Sequence, residues 1–365
     1  SVVAHIRPLV TGGFHVEPGP GMPPLLLGDR GDGLYDDLPY FLQDMGPQGF
    51  LGRQIAREMS VHFPEFPSDP KWWTTDHIGR YLISNGDDLP GNFKFGEQAL
   101  LRMRRRPVAV DDAEYPLMAD RVMEGEVPGS SAGGEQPKFT AFSGKSASHV
   151  IVKFSPSGNN EISRRWRDVL VTEYHANKIL RQNGFQAAET RLLEGEGRLF
   201  LESQRFDRSG EYGRSSMISL ASVDAEFVGS GSNWPRVLKS LAGRGMIAPE
   251  HVLDAESLWC FGKLIHNTDM HLGNLSLAMD GDVFGLLPVY DMCSMGFAPR
   301  SGGEVQPYAF APRHPERLVI DDEAYGAVRR MAVEFWDSVA QDERISNELK
   351  EFLRKGNPVE MMGAS

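Results

Sequence analysis

HNTDMHLGNLSL (266–277) is the stretch on which the reading of this chain turns. It follows the apolar run LWCFGKLIHN and leads into the strand-like LSLAM (275–279). Within it, Asp269 and Asn274 form a D-x4-N pair. Phosphoryl transfer needs a carboxylate to orient an acceptor hydroxyl and take its proton, and Asn offers a neutral oxygen to magnesium. A turn closed by Asx hydrogen bonds uses the same residue types, so the pair alone leaves both readings open.

Working outward, VFGLLPVYD (283–291) ends on Asp291, 22 residues after Asp269. A hairpin between them returns the chain to the rim it left and makes Asp291 the charged magnesium ligand beside Asn274. An ordinary helix N-cap or turn Asp is the alternative. Upstream, HVIVKFS (149–155) reads as an apolar strand carrying Lys153, and a lysine there is costly to bury unpaired. Glu173 lies 20 residues on, in a helix expected from about 165 to 183 that packs behind the strand. A Lys–Glu pair of this kind steadies nucleotide phosphates. The exposed face of an edge strand is the other home for Lys153, and Glu161 or a simple surface salt bridge competes with the Glu173 reading.

Before the strand comes SSAGGEQPKF (130–139). Ala132, Gly133, Gly134, Glu135 and Gln136 form a loop whose small residues let backbone N–H groups approach phosphate oxygens. It lacks the GK[ST] ending of a Walker A loop and the GxGxxG of familiar protein kinases; taken alone, it is also a common surface turn. Glycine-rich loop, strand lysine, helix glutamate, hairpin (TRLLE, EGEG, RLFLESQRFDR), D-x4-N and Asp follow in the order of a bilobal kinase.

These residues resemble the HipA-like serine/threonine kinases of bacterial toxin–antitoxin systems. The resemblance is carried by SSAGGEQPKF, VKFSP, TEYHANKIL, SQRFDR, HNTDMHLGNLSL and PVYDMCS, from about 130 to 300, and more loosely by LPYFLQDMGPQGFLGRQIA. Within the family the chain is most similar to the single-protein HipH or YjjJ type, which carries an additional DNA-binding-like segment; a start at Ser1 rather than Met would suit its loss.

The resemblance implies that Asp269 is the catalytic base and that Asn274 and Asp291 hold Mg²⁺. It implies that Lys153 contacts the phosphates of ATP, that the backbone from Gln204 to Phe206 meets adenine, and that His271 lies near the nucleotide. Ser130 and Ser131 match the loop on which family members phosphorylate themselves. A toxin acting on a protein of the translation machinery, such as a translation factor or an aminoacyl-tRNA synthetase, is the implied role, with an antitoxin or DNA as a further partner. Three departures stand out: Gly273 where HipA has a lysine, Gln204 in place of an acidic hinge residue, and Pro137 before Lys138.

The implied fold class is α+β and bilobal, protein-kinase-like. Residues 1–125 are expected to form an N-terminal α+β subdomain, 126–207 a strand-rich lobe with the glycine-rich loop, and 208–365 a helical lobe. In the first, short strands are read before about residue 45, with helices around LGRQIAREM and after Thr74 to Asp76, ending at Gly86. The last lobe is expected to be mostly helical beyond about 235.

The 365 residues, 41% hydrophobic and 24% charged, exclude a disordered chain or a small disulfide scaffold. Fifty acidic against 38 basic residues, a net charge of −12, weigh against a whole-chain grip on nucleic acid. Two cysteines without CxxC spacing, no signal peptide and no run of about 18 apolar residues point to a cytoplasmic protein without a membrane span. RMRRRP and RRWR (164–167) read as solvated basic runs, with Trp166 packing into the core. A small-molecule kinase on the same fold, or a non-catalytic nucleotide-binding module associated with DNA, are the alternative functions.

Overall fold

The computed structural model describes residues 2–102, 105–125, 136–300, 302–313 and 320–363. The chain opens on three short antiparallel strands, β1 (Ala4–Pro8), β2 (Phe14–Pro18) and β3 (Leu34–Tyr35). Helices α1 (Gly49–His62), α2 (Thr75–Asn85) and α3 (Gly96–Arg102) come after them. Thr74 and His77 form a reciprocal cap at the start of α2, and Gly86 closes it, as the sequence suggests.

A five-stranded sheet comes next, in the order β4-β5-β6-β8-β7, built from β4 (Ala109–Val110), β5 (Lys138–Ser143), β6 (Ser148–Phe154), β7 (Thr190–Gly195) and β8 (Arg198–Gln204). Side chains alternate across a strand, so each strand serves two cores. Val150, Val152 and Phe154 of β6 and Phe200 of β8 join Phe139 and Tyr115 in one cluster, under helix α4 (Tyr115–Glu124). Leu199 and Leu201 face the other way, into the main core with Leu170 and Val171 of α5 (Glu161–Gln182). The same alternation turns Lys153 toward α5. Helix α5 starts earlier than expected because Asn160 caps it, accepting from the Ser163 N–H. Trp166 stays half-buried, and Arg165 is the residue of its run that goes inside.

A two-stranded ribbon, β9 (Arg208–Ser209) and β10 (Gly213–Arg214), leads to β11 (Ile218–Ser219). Helices then begin at Leu220, earlier than the expected 235: α6 (Leu220–Phe227), α7 (Trp234–Gly243) and α8 (Pro249–Leu264). Ser219 caps α6, a signal hidden by the strand character of Ile218 just before it. Strand β12 (Ser276–Asp280) pairs with β11 and with β13 (Val283–Leu286), which ends before Pro288. Helices α9 (Asp322–Gln341) and α10 (Asn347–Leu353) complete the lobe.

The N-terminal segment packs on this helical lobe. Tyr40 meets Phe227 edge-on at 5.1 Å, and the half-buried Asp44 carboxylate accepts from Ser219 N, Ser219 Oγ and Ser222 Oγ. Val16, Leu26 and Tyr40 thereby share one apolar core with Phe261 and Trp336. Among the described residues no helix is long and apolar enough to cross a membrane.

Candidate active site

Lys153 leaves β6 on the α5 face with almost no water around it, so its charge must be met by the protein. Glu173 of α5 takes it with both oxygens, at 2.6 and 2.7 Å, and Asp291 Oδ1 lies 2.6 Å away on the other side. Burial alone would lower the lysine pKa; the Asp291 and Glu173 charges outweigh it and hold the ammonium well above its usual range. Burial pushes Glu173 upward against the pull of Lys153. Asp291 is held below the ordinary carboxylate range, since Lys153 and Lys138 together overcome its desolvation.

That makes Lys138 a member of the cluster. It pairs with Lys153 across the β5–β6 ladder, is itself buried, and its charge acts on both Glu173 and Asp291. The period-two register of a hairpin is the sequence signal for it, and Pro137 obscures that register. Gln136 is also buried, and its Nε2 meets no partner among the described residues. Ser130, Ser131, Ala132, Gly133, Gly134 and Glu135 lie outside the described residues.

Asp269 sits on a loop fixed from several sides. Helix α8 ends at Leu264, and His266 turns the chain with a φ of 65°. Asn267 is buried: its Oδ1 accepts from the Asp269 N–H at 3.0 Å, and its Nδ2 donates to the Asp291 carbonyl at 3.4 Å. Asn274 Nδ2 donates to the Asp269 carbonyl at 2.7 Å. Tyr290 OH donates to Gly273 O, and Trp234 Nε1 donates to His271 O. Gly262 of α8 lets Met270 press against the helix, where a Cβ would stand 2.3 Å from the Met270 sulfur. The Asp269 side chain itself stays half-exposed, with His271 Nε2 3.7 Å from Oδ1.

Asp291 has a φ of 54°, a left-handed conformation that costs a non-glycine residue energy and is retained where surrounding structure imposes it. Here the β12–β13 hairpin feeds it in. Ser294 anchors the chain just beyond, donating its N–H to Thr172 Oγ1 and its hydroxyl to Ile265 O. Thr172 adjoins Glu173 on α5, so one hydrogen bond links the helix holding Glu173 to the loop holding Asp291. Asn267, Thr172, Tyr290 and Ser294 are not legible as site residues in the sequence, because polar side chains that hold loops carry no spacing signature. Below them Cys293 is buried, and its thiol is pushed far up by desolvation and by the Glu173 carboxylate.

At the end of β8, Gln204 gives its N–H to Glu189 O, and the Phe206 ring lies 5.7 Å from that of Tyr290, tilted by 32°. The rest of SQRFDR builds a buried ion cluster. Asp207 takes Arg205 and Arg208 and accepts from the Gly91 N–H, while Arg208 and Arg214 reach Asp88 and the Leu89 carbonyl. Despite burial, the two arginines lower the Asp207 pKa to about 2.

The lysine-centred triad, the clamped Asp269–Asn274 loop and the two-lobed layout together make a kinase-like fold. A family model described as the HipA-like C-terminal domain matches residues 130–353, and one described as the YjjJ-like toxin, middle domain, matches residues 1–104. Toxin YjjJ of Escherichia coli (strain K12) is 36% identical over 344 residues, covering 91% of this chain and 76% of that protein. The chain belongs to the HipA/YjjJ family.

Its HipA-like fold extends over the whole chain. The Shewanella oneidensis MR-1 HipA, solved in complex with HipB and operator DNA, superposes with a TM-score of 0.64 at 16% identity, covering 99% of this chain and 94% of that one. The Helicobacter pylori proinflammatory kinase CtkA is a more distant likeness, with a TM-score of 0.42 at 15% identity over 64% of this chain and 90% of that one. The α+β kinase-like architecture expected from the sequence, and the HipA/YjjJ resemblance, are both borne out.

Proposed function

We propose that this HipA/YjjJ-family chain is an ATP- and Mg²⁺-dependent serine/threonine protein kinase that acts as a growth-inhibiting toxin. The observation that carries the reading is the position of Lys153, which bridges Glu173 and Asp291 beside a half-exposed Asp269. Such a lysine is held extended by carboxylates toward the cleft, where phosphate oxygens take over part of its hydrogen bonding. Lys138 adds a second positive charge, and Gln136 Nε2, without a partner among the described residues, offers a buried donor to the same phosphates.

The donor set also fits magnesium. Asn274 spends its Nδ2 on the Asp269 carbonyl and leaves Oδ1 as a neutral oxygen ligand. Asp291 gives one oxygen to Lys153 and keeps the other, at a carboxylate that stays ionised. One amide oxygen and one carboxylate, completed by phosphates and water, are what magnesium takes in such sites. When bound, the ion would neutralise charge on the phosphate oxygens. Asp269 would orient the acceptor hydroxyl and accept its proton, with Asn267 and Asn274 keeping its backbone in place. Because Gln204 has committed its N–H, its contribution to adenine would be its carbonyl, with the Phe206 N–H as the matching donor.

Autophosphorylation at Ser130 or Ser131, a protein substrate in translation, and an antitoxin or DNA partner belong to the same proposal. Support for the toxin role comes from the relative named Toxin YjjJ, and for a partner from the HipA complex with HipB and operator DNA. The test is ADP release and intact mass for wild type and Asp269→Ala, with and without Mg²⁺ and with cell lysate as acceptor. Phosphate gain and ADP from wild type with Mg²⁺ only, and none from the variant, is the expected result. Equal ATP binding with no turnover by either protein would leave a nucleotide-binding module instead.

A further inference from the structure

A second region, away from the Lys153 cluster, gathers several arginines. A cavity of about 400 Å³ is lined by Asn159, Arg164, Arg167, Arg344 and Glu348, among others. A smaller one, of about 170 Å³, is lined by Arg167, Arg198, Arg344 and Glu194 with the β7–β8 turn. Arg167 and Arg344 belong to both, so the two adjoin. In a chain of net charge −12, four guanidinium groups gathered around one hollow call for a reason.

Their partners are uneven. Arg344 is matched by Asp342, Arg198 by Asp120 and Arg164 by Glu348, itself on the cavity wall and half-exposed. Arg167 is different: it donates to the Gly158 and Gly197 carbonyls and meets no carboxylate among the described residues. The carboxylates on the walls of its two cavities are Glu348 and Glu194, and neither forms an ion pair with it. The Nε atoms of both Arg164 and Arg167 are buried without an acceptor among the described residues. Arginine forks match phosphate oxygens in geometry as well as charge, and with Nε buried it is the terminal nitrogens that a ligand would meet.

We propose that these joined cavities bind a small polyphosphate anion, with one phosphoryl group between Arg164 and Arg167 and the next between Arg167, Arg344 and Arg198. Two cavities sharing two arginines favour linked phosphates over a single one. Their concave shape, in an acidic molecule, favours a small molecule over a nucleic-acid backbone. The site stands on α5, where Arg167 precedes Glu173 by six residues, roughly 9 Å of helix. It is independent of the phosphoryl-transfer reading, since none of its residues belongs to the Lys153 cluster.

Isothermal titration of the full chain with sodium pyrophosphate, in Mg²⁺-free buffer of constant ionic strength, tests it. Arg167→Gln is expected to weaken binding about tenfold, the scale of one lost charge-assisted hydrogen bond. Glu348→Gln is expected to tighten it, by freeing Arg164 from a competing carboxylate. Arg164→Gln, which among the described residues disturbs contacts to Asn159 and Glu348, weakens binding even if Arg167→Gln fails to fold. Orthophosphate is expected to bind more weakly than pyrophosphate; equal affinity would overturn the linked-phosphate assignment. Absence of binding at millimolar pyrophosphate, or affinity unchanged by Arg164→Gln and Glu348→Gln, overturns the site itself.

Discussion

Replacing Lys153 with Met keeps most of the stem and removes the charge on which two carboxylates depend. Lys153 Nζ lies 2.6 Å from both Glu173 and Asp291, with the lysine and glutamate side chains 6% and 3% exposed. At an effective dielectric of about 20, each contact is worth roughly 6 kcal/mol before desolvation, which takes back most of it. Leaving the buried partners uncompensated is then expected to cost about 3–5 kcal/mol of stability near neutral pH. The pH dependence is the sharper part. In wild type, Asp291 is held low, so its contribution is present above the unfolded carboxylate value and is lost only as pH falls through its folded value. The raised Lys153 contributes fully throughout the acid and neutral range. Without the lysine, Glu173 and Asp291 repel, and one of them takes up a proton in the folded state at a raised pKa. Burial already raises Glu173 in wild type, but losing Lys153 raises the pair further, so the variant gains more stability than wild type as pH falls from neutrality and its deficit narrows. Urea unfolding monitored by tryptophan fluorescence, at about pH 7.5 and about pH 5, measures both proteins. A deficit below about 1 kcal/mol, or one equal at the two values, would refute the argument.

Other consequences are open to direct measurement. Asn267→Ala removes the link between the Asp269 N–H and the Asp291 carbonyl, and is expected to lower kcat by about tenfold or more while ATP affinity changes little; an unchanged kcat would deny it a positioning role. Asp207→Asn leaves Arg205 and Arg208 without their shared carboxylate and should cost about 3 kcal/mol in denaturant unfolding. Because the Asp207 pKa is lowered to about 2, this contribution is present above the unfolded carboxylate value and disappears only as pH falls through about 2. Cys260 and Cys293 are buried with raised thiol pKa values, Cys260 to about 12, so native protein should resist thiol reagents until it is unfolded. Rapid labelling of either cysteine under native conditions would contradict that.

The sequence makes the site legible where chemistry imposes both a residue type and a place. A lysine inside an apolar strand must find a carboxylate, and the next helix supplies Glu173. Asp269, Asn274 and Asp291 can be grouped because a hairpin returns the chain to its starting edge, as β12 and β13 do. Lys138 is harder, since its membership depends on strand register, which a proline beside it leaves undetermined. Asn267 and Thr172 act through backbone groups that only the folded loops bring within reach. The early start of α6 is hidden because Ser219, its cap, is at once the end of a strand. The arginine hollow is visible only as the run RRWR, since Arg198 and Arg344 reach it from distant parts of the chain.

The shared core of the N-terminal segment and the helical lobe has a consequence for biosynthesis. Asp44 finds its first serine partner 175 residues later, and Tyr40 packs edge-on against Phe227. At about 5–20 residues per second, the ribosome needs on the order of ten seconds or more to deliver those partners after Asp44 emerges. Throughout that interval Tyr40, Phe41 and Leu42, all buried in the finished protein, have no α6 to cover them. The opening segment must wait for its lid, and newly made chains should pass through a stage that is open to chaperone capture and proteolysis until α6 has left the exit tunnel.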